Sequence, residues 1–203
     1  MPNKGAAPRS EFKEAIGLRL NENRTIAWIV LVVCVLLSVF AFGGGAVARE
    51  RSKALRVFDE GDDPTLSVRH SMDAYLDSAA DCAQIMASEA QLHLGTKATQ
   101  AEPVSNAAAI LANDASGLDA RYEAYIQIKS DIEKLYNAMY AELDAANFRD
   151  FKMAYDNFWG YDDMLGRDGY HALARSYNRT ISGFPAGLIA GLLGQGALNT
   201  FGG

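Results

Sequence analysis

The chain has 203 residues and a formal net charge of -6, so its overall charge argues against a nucleic-acid partner. Its two cysteines, Cys34 and Cys82, are too few for a disulfide framework, and we interpret both as small packing residues. The length of chain that follows its most apolar stretch suits one compact domain.

Residues 1–25 form a charged N-terminal tail. Its basic residues are diluted by glutamates, which is typical of a solvated leader. A short amphipathic helix over residues 11–20 is the alternative. Residues 1–7 are predicted to be disordered.

An apolar run over residues 26–42 organises the rest of the chain. No charged residue occurs between Arg24 and Arg49. About 20 apolar residues of helix cross a bilayer core of roughly 30 Å, so the pattern predicts a transmembrane helix over residues 26–48. We expect a single-pass anchor that is retained, although Ala46-Val47-Ala48 imitates a signal-peptidase site and leaves cleavage open.

The charges that flank this run do not decide its orientation. Lys and Arg near the ends of a span usually set which side faces the cytoplasm. The two sides carry equal numbers here, namely Arg9, Lys13, Arg19 and Arg24 before the run and Arg49, Arg51, Lys53 and Arg56 after it.

Residues 49–183 are predicted to form a helical bundle, because apolar residues recur at steps of three and four. An acidic loop over residues 59–63 ends the first piece, and Asp63 with Pro64 is predicted to begin the second. The predicted helices cover residues 46–58, 64–94, 104–113, 118–143 and 147–183.

The tail over residues 184–203 is uncharged, apolar and rich in glycine. We expect it to fold back onto the bundle. A second span is disfavoured because Pro185 and repeated glycines interrupt the apolar segment. A position of this tail at the membrane interface ranks between these two interpretations.

No catalytic, cofactor-binding or metal site is predicted. Asp73, Asp77 and Asp81 follow one another at helical spacing, which is typical of a solvated face when no matched second set of ligands is near. Glu89 and His93 are interpreted as a surface pair.

The three histidines, His70, His93 and His171, lie on different helices and lack the paired Glu-x-x-His pattern of metal sites in bundles. We expect surface or packing roles for each of them.

Aromatic residues are frequent in the last two long predicted helices. Such residues at helical spacing are usually core. Trp159 and Tyr161 depart from the main apolar stripe, and they are the candidate partner-binding residues if a groove exists.

Three C-terminal segments carry a family pattern. Residues 174–178 (Ala-Arg-Ser-Tyr-Asn), Phe184-Pro185 and the small apolar residues 188–194 follow the closing motifs of the LemA family, and residues 147–151 fall where that family has an Asn-x-x-Phe type segment. The chain therefore resembles this family. The resemblance implies a membrane-anchored helical bundle without an assigned reaction, with the bundle in the cytoplasm.

We expect an all-α fold with an N-terminal transmembrane helix followed by an antiparallel bundle of about four helices. The expected function is that of a non-enzymatic, membrane-tethered interaction or scaffold protein with an unknown protein partner, and self-association stays open. The alternatives are a ligand-sensing bundle that signals through a partner and, third, a metal-dependent enzyme.

Overall fold

The computed structural model describes residues 9–62 and 71–201, with side chains from residue 24 onwards except at Ala41. Within these ranges the fold is all-α and contains no strand, which confirms the predicted fold class. The helices are α1 (Arg9–Glu60), α2 (Met72–Leu94), α3 (Ala101–Leu111), α4 (Gly117–Glu142), α5 (Arg149–Arg167), α6 (Tyr170–Ile181) and α7 (Ala186–Leu192), and 3₁₀ turns cover Gly95–Lys97 and Asp114–Ser116.

The chain forms two compact units, Met1–Ala46 and Val47–Gly203. The first unit contains the apolar run, which lies within α1. The most apolar window of the segment Arg24–Glu60 has a mean hydropathy of 2.8, and none of that window is buried. A helix that exposes apolar side chains on every face suits lipid rather than water. By length and composition, this helix is able to cross a membrane.

The second unit is a helical bundle whose core includes the last part of α1. Helix α2 packs against α3, α4 and α5, and α3 packs against α4. Small side chains on the buried face of α2 let these neighbours approach closely. The buried alanines of α2 are Ala79, Ala80, Ala83, Ala87 and Ala90, and the buried residues from α1 are Val47, Ala54, Val57 and Phe58.

Helix α2 begins at Met72, so the predicted start at Pro64 was wrong. Ser71 has an extended backbone, with φ -120° and ψ 157°, and its hydroxyl accepts a hydrogen bond from the Ala74 amide at 3.2 Å. This is the geometry of an N-cap, and a helix cannot run through it. The proposed Asp63 and Pro64 cap lies outside the described residues.

The predicted long helix over residues 147–183 was also wrong, because α5 ends at Arg167 and α6 begins at Tyr170. Asp168 is extended, with φ -65° and ψ 143°, and its carboxylate accepts a hydrogen bond from the Tyr170 amide at 2.8 Å. Gly169 lies so close to Asp62 that a side chain at this position would overlap the carboxylate. The break therefore depends on a contact with the end of α1.

The C-terminal tail folds back onto the bundle, as the preferred interpretation predicted. Asn178 of α6 holds Leu198 at both backbone groups, because its side-chain nitrogen donates to the Leu198 carbonyl and its oxygen accepts from the Leu198 amide, each at 2.8 Å. The Tyr170 hydroxyl donates to the Asn199 carbonyl at 2.9 Å. Phe201 is fully buried.

Candidate functional site: a buried arginine in an aspartate-lined cleft

Arg121 is the centre of the most polar part of the bundle interior. It lies in the second turn of α4, and its side chain is only 4% exposed. Its Nε donates a hydrogen bond of 2.7 Å to the Leu111 carbonyl at the end of α3. A guanidinium is always charged in proteins, so a buried one needs several acceptors around it.

Three aspartates supply these acceptors. The Arg121 Nη1 atom donates to Asp73 Oδ1 at 2.7 Å, and longer contacts of 3.4 Å join Nη1 to Asp114 and Nη2 to Asp77. Asp73 and Asp77 belong to α2, whereas Asp114 belongs to the turn before α4. Because charge-assisted hydrogen bonds are stronger than neutral ones, this cluster joins α2, α3 and α4.

Helix α1 reaches the same cluster through Phe58. The guanidinium carbon of Arg121 lies 5.8 Å from the centroid of the Phe58 ring, within the range of a cation–π contact. Phe58 also contacts the Tyr170 ring edge-on, with centroids 5.2 Å apart. The arginine therefore contacts side chains or backbone from four successive parts of the fold.

An open cleft of about 540 Å³ lies beside Arg121. Its volume falls within the range of roughly 300–1,000 Å³ that is typical of small-molecule sites. Cations, carboxylates and apolar groups all contribute to its wall. The lining residues are Arg51, Leu55, Phe58, Asp59, Asp73, Asp114, Gly117, Leu118 and Arg121.

Negative charge exceeds positive charge around Arg121. Burial raises the pKa of the Asp59 carboxyl, Asp73 raises it further, and the Arg121 guanidinium opposes the shift. The pKa of Asp77 is raised by burial and then by Asp73, again against Arg121. The site therefore favours a proton or another cation near Asp59 and Asp77.

The same carboxylates meet the distance requirement of a metal site. Oxygen atoms of Asp73, Asp77 and Asp114 lie within 4.8 Å of one another. However, the Arg121 guanidinium already bonds to all three, so it takes the place that an ion would need. The prediction that the chain holds no metal stays a prediction.

Sequence reasoning missed Arg121 and misjudged two of its partners. Asp73 and Asp77 were expected on a solvated face, but both are partly buried and bonded to Arg121, while Asp81 is exposed. The sequence did contain a signal for this burial. Arg121 lies seven residues, or about two helical turns, before Ile128, which is buried on the same face of α4. A charged residue on the buried stripe of a helix indicates a buried ion pair.

Trp159 and Tyr161 lie on different sides of α5. The Lys129 ammonium is 5.4 Å from the centroid of the Trp159 ring, so Trp159 faces α4. The Tyr161 ring lies 6.5 Å from that of Tyr75, so Tyr161 faces α2. Both side chains are partly buried and pack against the core. The structure does not bring them together on one surface, and their partner-binding role stays a prediction.

The Trp159 side of α5 contains a second polar cluster. Tyr125 donates a hydrogen bond to Asp162, and the Lys129 ammonium lies 2.8 Å from the same carboxylate. Burial raises the pKa of Tyr125, and the hydrogen bond to Asp162 raises it further, so the phenol stays protonated. This cluster neutralises its own charges and joins α4 to α5.

The two described histidines do not come together. His93 Nε2 lies 3.5 Å from Glu89, as the surface-pair interpretation predicted. His171 is buried, and its Nε2 atom lies 2.6 Å from the Leu165 carbonyl. The third histidine, His70, lies outside the described residues.

No protein-family model, curated protein or solved structure matches this chain. The interpretation of its function therefore depends on the contacts within the chain and on the motifs of its sequence.

Proposed function

We propose that the chain is a membrane-anchored, non-enzymatic helical interaction protein of the LemA type, held at the cell membrane by a single span. The sequence predicts this span over residues 26–48, and the burial of Val47 in the bundle core limits it to the residues before Val47. The observation that carries the proposal is a difference in burial between two parts of α1. None of its most apolar window is buried, whereas Val47, five residues after the apolar run, is buried in the bundle core. The exposed run suits lipid, and the core needs the residues that follow it.

The burial of Val47 supports a retained anchor. Cleavage after Ala48 would remove this residue, which is only 3% exposed, and would shorten the part of α1 that packs in the bundle. The packing of the second unit therefore favours a chain in which the span and the bundle stay joined.

The polar clusters support a binding role rather than catalysis. Arg121 is bonded to three carboxylates, and Lys129 shares Asp162 with Tyr125. Groups that satisfy one another inside a core are typical of stabilising contacts. We place the unidentified partner on the protein surface, with a second copy of the chain as one candidate for that partner.

The LemA-like closing motif has contacts that fit a shared architecture. Tyr177 and Ala174 are buried, and Asn178 holds the returning tail at Leu198. These positions would be expected to recur in related bundles because they hold the C-terminal segment to α6.

Two measurements on native membranes test the proposal. Extraction at alkaline pH should leave the full chain in the membrane pellet, and its recovery in the soluble fraction would contradict the anchor. Cross-linking followed by capture should recover a protein partner. Recovery of the chain alone, with no cross-linked second copy, would contradict the interaction role.

The side of the membrane is tested with a single cysteine. Thr96 is exposed in the turn after α2, and it is replaced by Thr96→Cys in a Cys34→Ala/Cys82→Ala background. We expect protection from a membrane-impermeant thiol reagent in intact cells and labelling after lysis, because we place the bundle in the cytoplasm. Labelling in intact cells would reverse the proposed topology.

A second candidate function, ligand sensing by the bundle, is favoured by the cleft beside Arg121. The Arg51 Nε atom is buried and has no hydrogen-bond partner within the described part of the chain. Carboxylates on the wall of the same cleft carry the opposite charge. A zwitterionic small molecule such as an amino acid matches this mixture. An amino-acid panel should raise the Tm of the chain, and Asp59→Asn should reduce that rise. A panel without any rise would remove this candidate.

A further inference from the structure

The cleft beside Arg121 contains two charged groups that the described residues leave without a partner. Arg51 and Asp59 both line this cleft from α1. The Nε atom of Arg51 is buried and bonds to nothing within residues 9–62 and 71–201. Asp59 has neither a hydrogen bond nor an ion pair within the same ranges. Buried polar atoms are nearly always hydrogen-bonded, so the buried Nε atom needs an explanation, and a ligand group supplies one.

The other charges in the wall of the cleft pair with one another. Arg121 donates to Asp73 at 2.7 Å and lies 3.4 Å from Asp114. Opposite charges in contact cancel much of each other's field, so they attract a ligand charge less than a group without a partner does. Recognition of the charges of a ligand therefore depends mainly on Arg51 and Asp59.

These two groups lie far apart on one face of α1. Arg51 and Asp59 are separated by eight residues, so their Cα atoms lie about 12 Å apart along the helix axis. Leu55 is midway between them in the sequence and lines the same cleft. Residues spaced by four follow one face of a helix. This face of α1 therefore presents a cation, an apolar side chain and an anion in that order.

The wall of the cleft contains further apolar side chains. Phe58 of α1 and Leu118 of α4 both line it. Leu55 and Leu118 are partly buried and pack against the core, so each keeps some apolar surface in contact with solvent. A hydrocarbon group placed beside them would remove this surface from water. The cleft thus suits a ligand with an apolar segment between its charged groups.

This order of groups matches a ligand whose two charges are separated by a hydrocarbon chain. A guanidinium pairs with a carboxylate through two parallel hydrogen bonds, and a carboxylate accepts hydrogen bonds from an ammonium group. An α-amino acid carries both charges on one carbon, so it can pair fully with only one of Arg51 and Asp59. An ω-amino carboxylate carries its charges at opposite ends and can pair with both.

The negative charge around Asp59 determines which end of the ligand lies there. Burial raises the pKa of Asp59, and the neighbouring Asp73 carboxylate raises it further. An ammonium group beside these carboxylates would be stabilised, whereas a second anion would be repelled. The carboxylate of the ligand is therefore expected at Arg51.

We propose that the cleft binds a linear ω-amino carboxylate, with its carboxylate on Arg51, its methylene chain along Leu55 and its ammonium group beside Asp59. The inference rests on ligand sensing, the second candidate function, and names the class of ligand for it. The distance between the two charges of the ligand, and not their presence alone, selects it.

The first test compares three ligands by isothermal titration calorimetry of the full chain in detergent micelles. ε-Aminocaproate carries its charges at opposite ends of a linear chain. Norleucine is its isomer with both charges on one carbon, and hexanoate lacks the ammonium group. We expect ε-aminocaproate to bind roughly tenfold more tightly than either, because one charge-assisted hydrogen bond is worth at least this factor in affinity.

Two substitutions test the two ends of the ligand separately. Asp59→Asn should remove the advantage of ε-aminocaproate over hexanoate, because only the ammonium group meets Asp59. Arg51→Gln should weaken the binding of both, because both carry the carboxylate. The matched controls are Arg56→Gln and Glu50→Gln, at exposed positions of α1 that do not line the cleft. They should leave all affinities unchanged.

The outcomes separate the inference from the function on which it rests. Tighter binding of norleucine than of ε-aminocaproate would overturn the proposed charge spacing and leave amino-acid sensing standing. Equal binding of ε-aminocaproate and hexanoate would overturn the ammonium contact at Asp59. An equal loss of affinity in Arg51→Gln and Arg56→Gln would show that the ligand binds elsewhere. Binding of none of the three ligands would overturn the proposal, and an amino-acid panel without a rise in Tm would then remove sensing as well.

Discussion

In the polar cluster around Arg121, at the Asp59 end of α1, three carboxylates bond to one buried guanidinium, whereas the C-terminal tail contains no charged residue. The cluster is stabilised by opposite charges on α2, α4 and the turn before α4. The tail is held by hydrogen bonds from Asn178 and by the buried ring of Phe201. The two regions should therefore respond differently to pH, salt and substitution.

The two regions also differ in which of their side chains are buried and which face solvent. At the Asp59 end, the polar groups face a cleft, and the excess of negative charge favours cations. In the C-terminal tail, the apolar side chains are divided, because Phe201 enters the core while Phe184 is exposed.

The largest expected effect comes from removing the cation at the Asp59 end. Arg121→Met leaves Asp73 and its neighbours close together without a counter-charge. Removing one partner of a buried ion pair typically costs about 3–5 kcal/mol, and we expect a loss in this range. The measurement is urea unfolding of the full chain in detergent micelles. The transition is monitored by near-ultraviolet circular dichroism, which reports the packing of the tyrosines in the bundle.

The control for this substitution is Arg149→Met. The Arg149 side chain is 80% exposed and pairs with the neighbouring Asp150 at 3.1 Å. Surface substitutions of this kind change stability by no more than about 0.5 kcal/mol. If Arg121→Met were as mild as the control, the charge cluster would not stabilise the Asp59 end.

The next largest effect is expected at the tail. Phe201 is fully buried, and its ring centroid lies 5.4 Å from that of Tyr122 and 5.9 Å from those of Phe58 and Tyr125. We expect Phe201→Ala to cost about 3 kcal/mol, at the low end for a buried phenylalanine, because the tail can undock locally. Hydrogen exchange should show the loss as faster exchange at the Leu198 amide.

Phe184→Ala is the matched control for the tail, because it removes the same ring from an exposed position of the same segment. It should leave hydrogen exchange at Leu198 unchanged. Equal exchange in the two variants would mean that the ring of Phe201 does not hold the tail to the bundle.

The helices with strong local signals could be predicted closely from the sequence. The predicted helices over residues 104–113 and 118–143 correspond to α3 (Ala101–Leu111) and α4 (Gly117–Glu142). In both, apolar residues recur at helical spacing over the whole length of the helix. These signals are local, so a single sequence is enough to read them.

The features that could not be predicted depend on contacts between distant residues. Arg121 and Asp73 are 48 positions apart, and neither residue alone indicates the pair. The break between α5 and α6 needs Asp62 to lie against Gly169. A glycine within a helical pattern indicates that some irregularity is near, but it does not indicate which segment causes it.

The smallest effect that we expect is a change in the pH dependence of stability at the Asp59 end. Burial and the neighbouring Asp73 raise the pKa of Asp59 in the folded chain above its value in the unfolded chain. The folded state therefore binds the proton more tightly, and this residue lowers the free energy of unfolding as pH rises through its folded pKa.

Asp59→Asn removes the charge that causes this loss. We expect a slightly higher Tm than the parent at pH 7, and the difference should fade as pH falls below about 4, where the parent carboxyl becomes protonated in the unfolded state as well. Asp163→Asn, at an exposed position of α5, should not raise the Tm at any pH, since the Asp163 carboxylate pairs with Arg167 at 2.7 Å. A Tm of Asp59→Asn below that of the parent at pH 7 would show that Asp59 is stabilised by Arg121 more than it is penalised by burial and by Asp73. The Asp59 end would then be a balanced ion cluster, and the cleft would have no excess of negative charge to attract a cation.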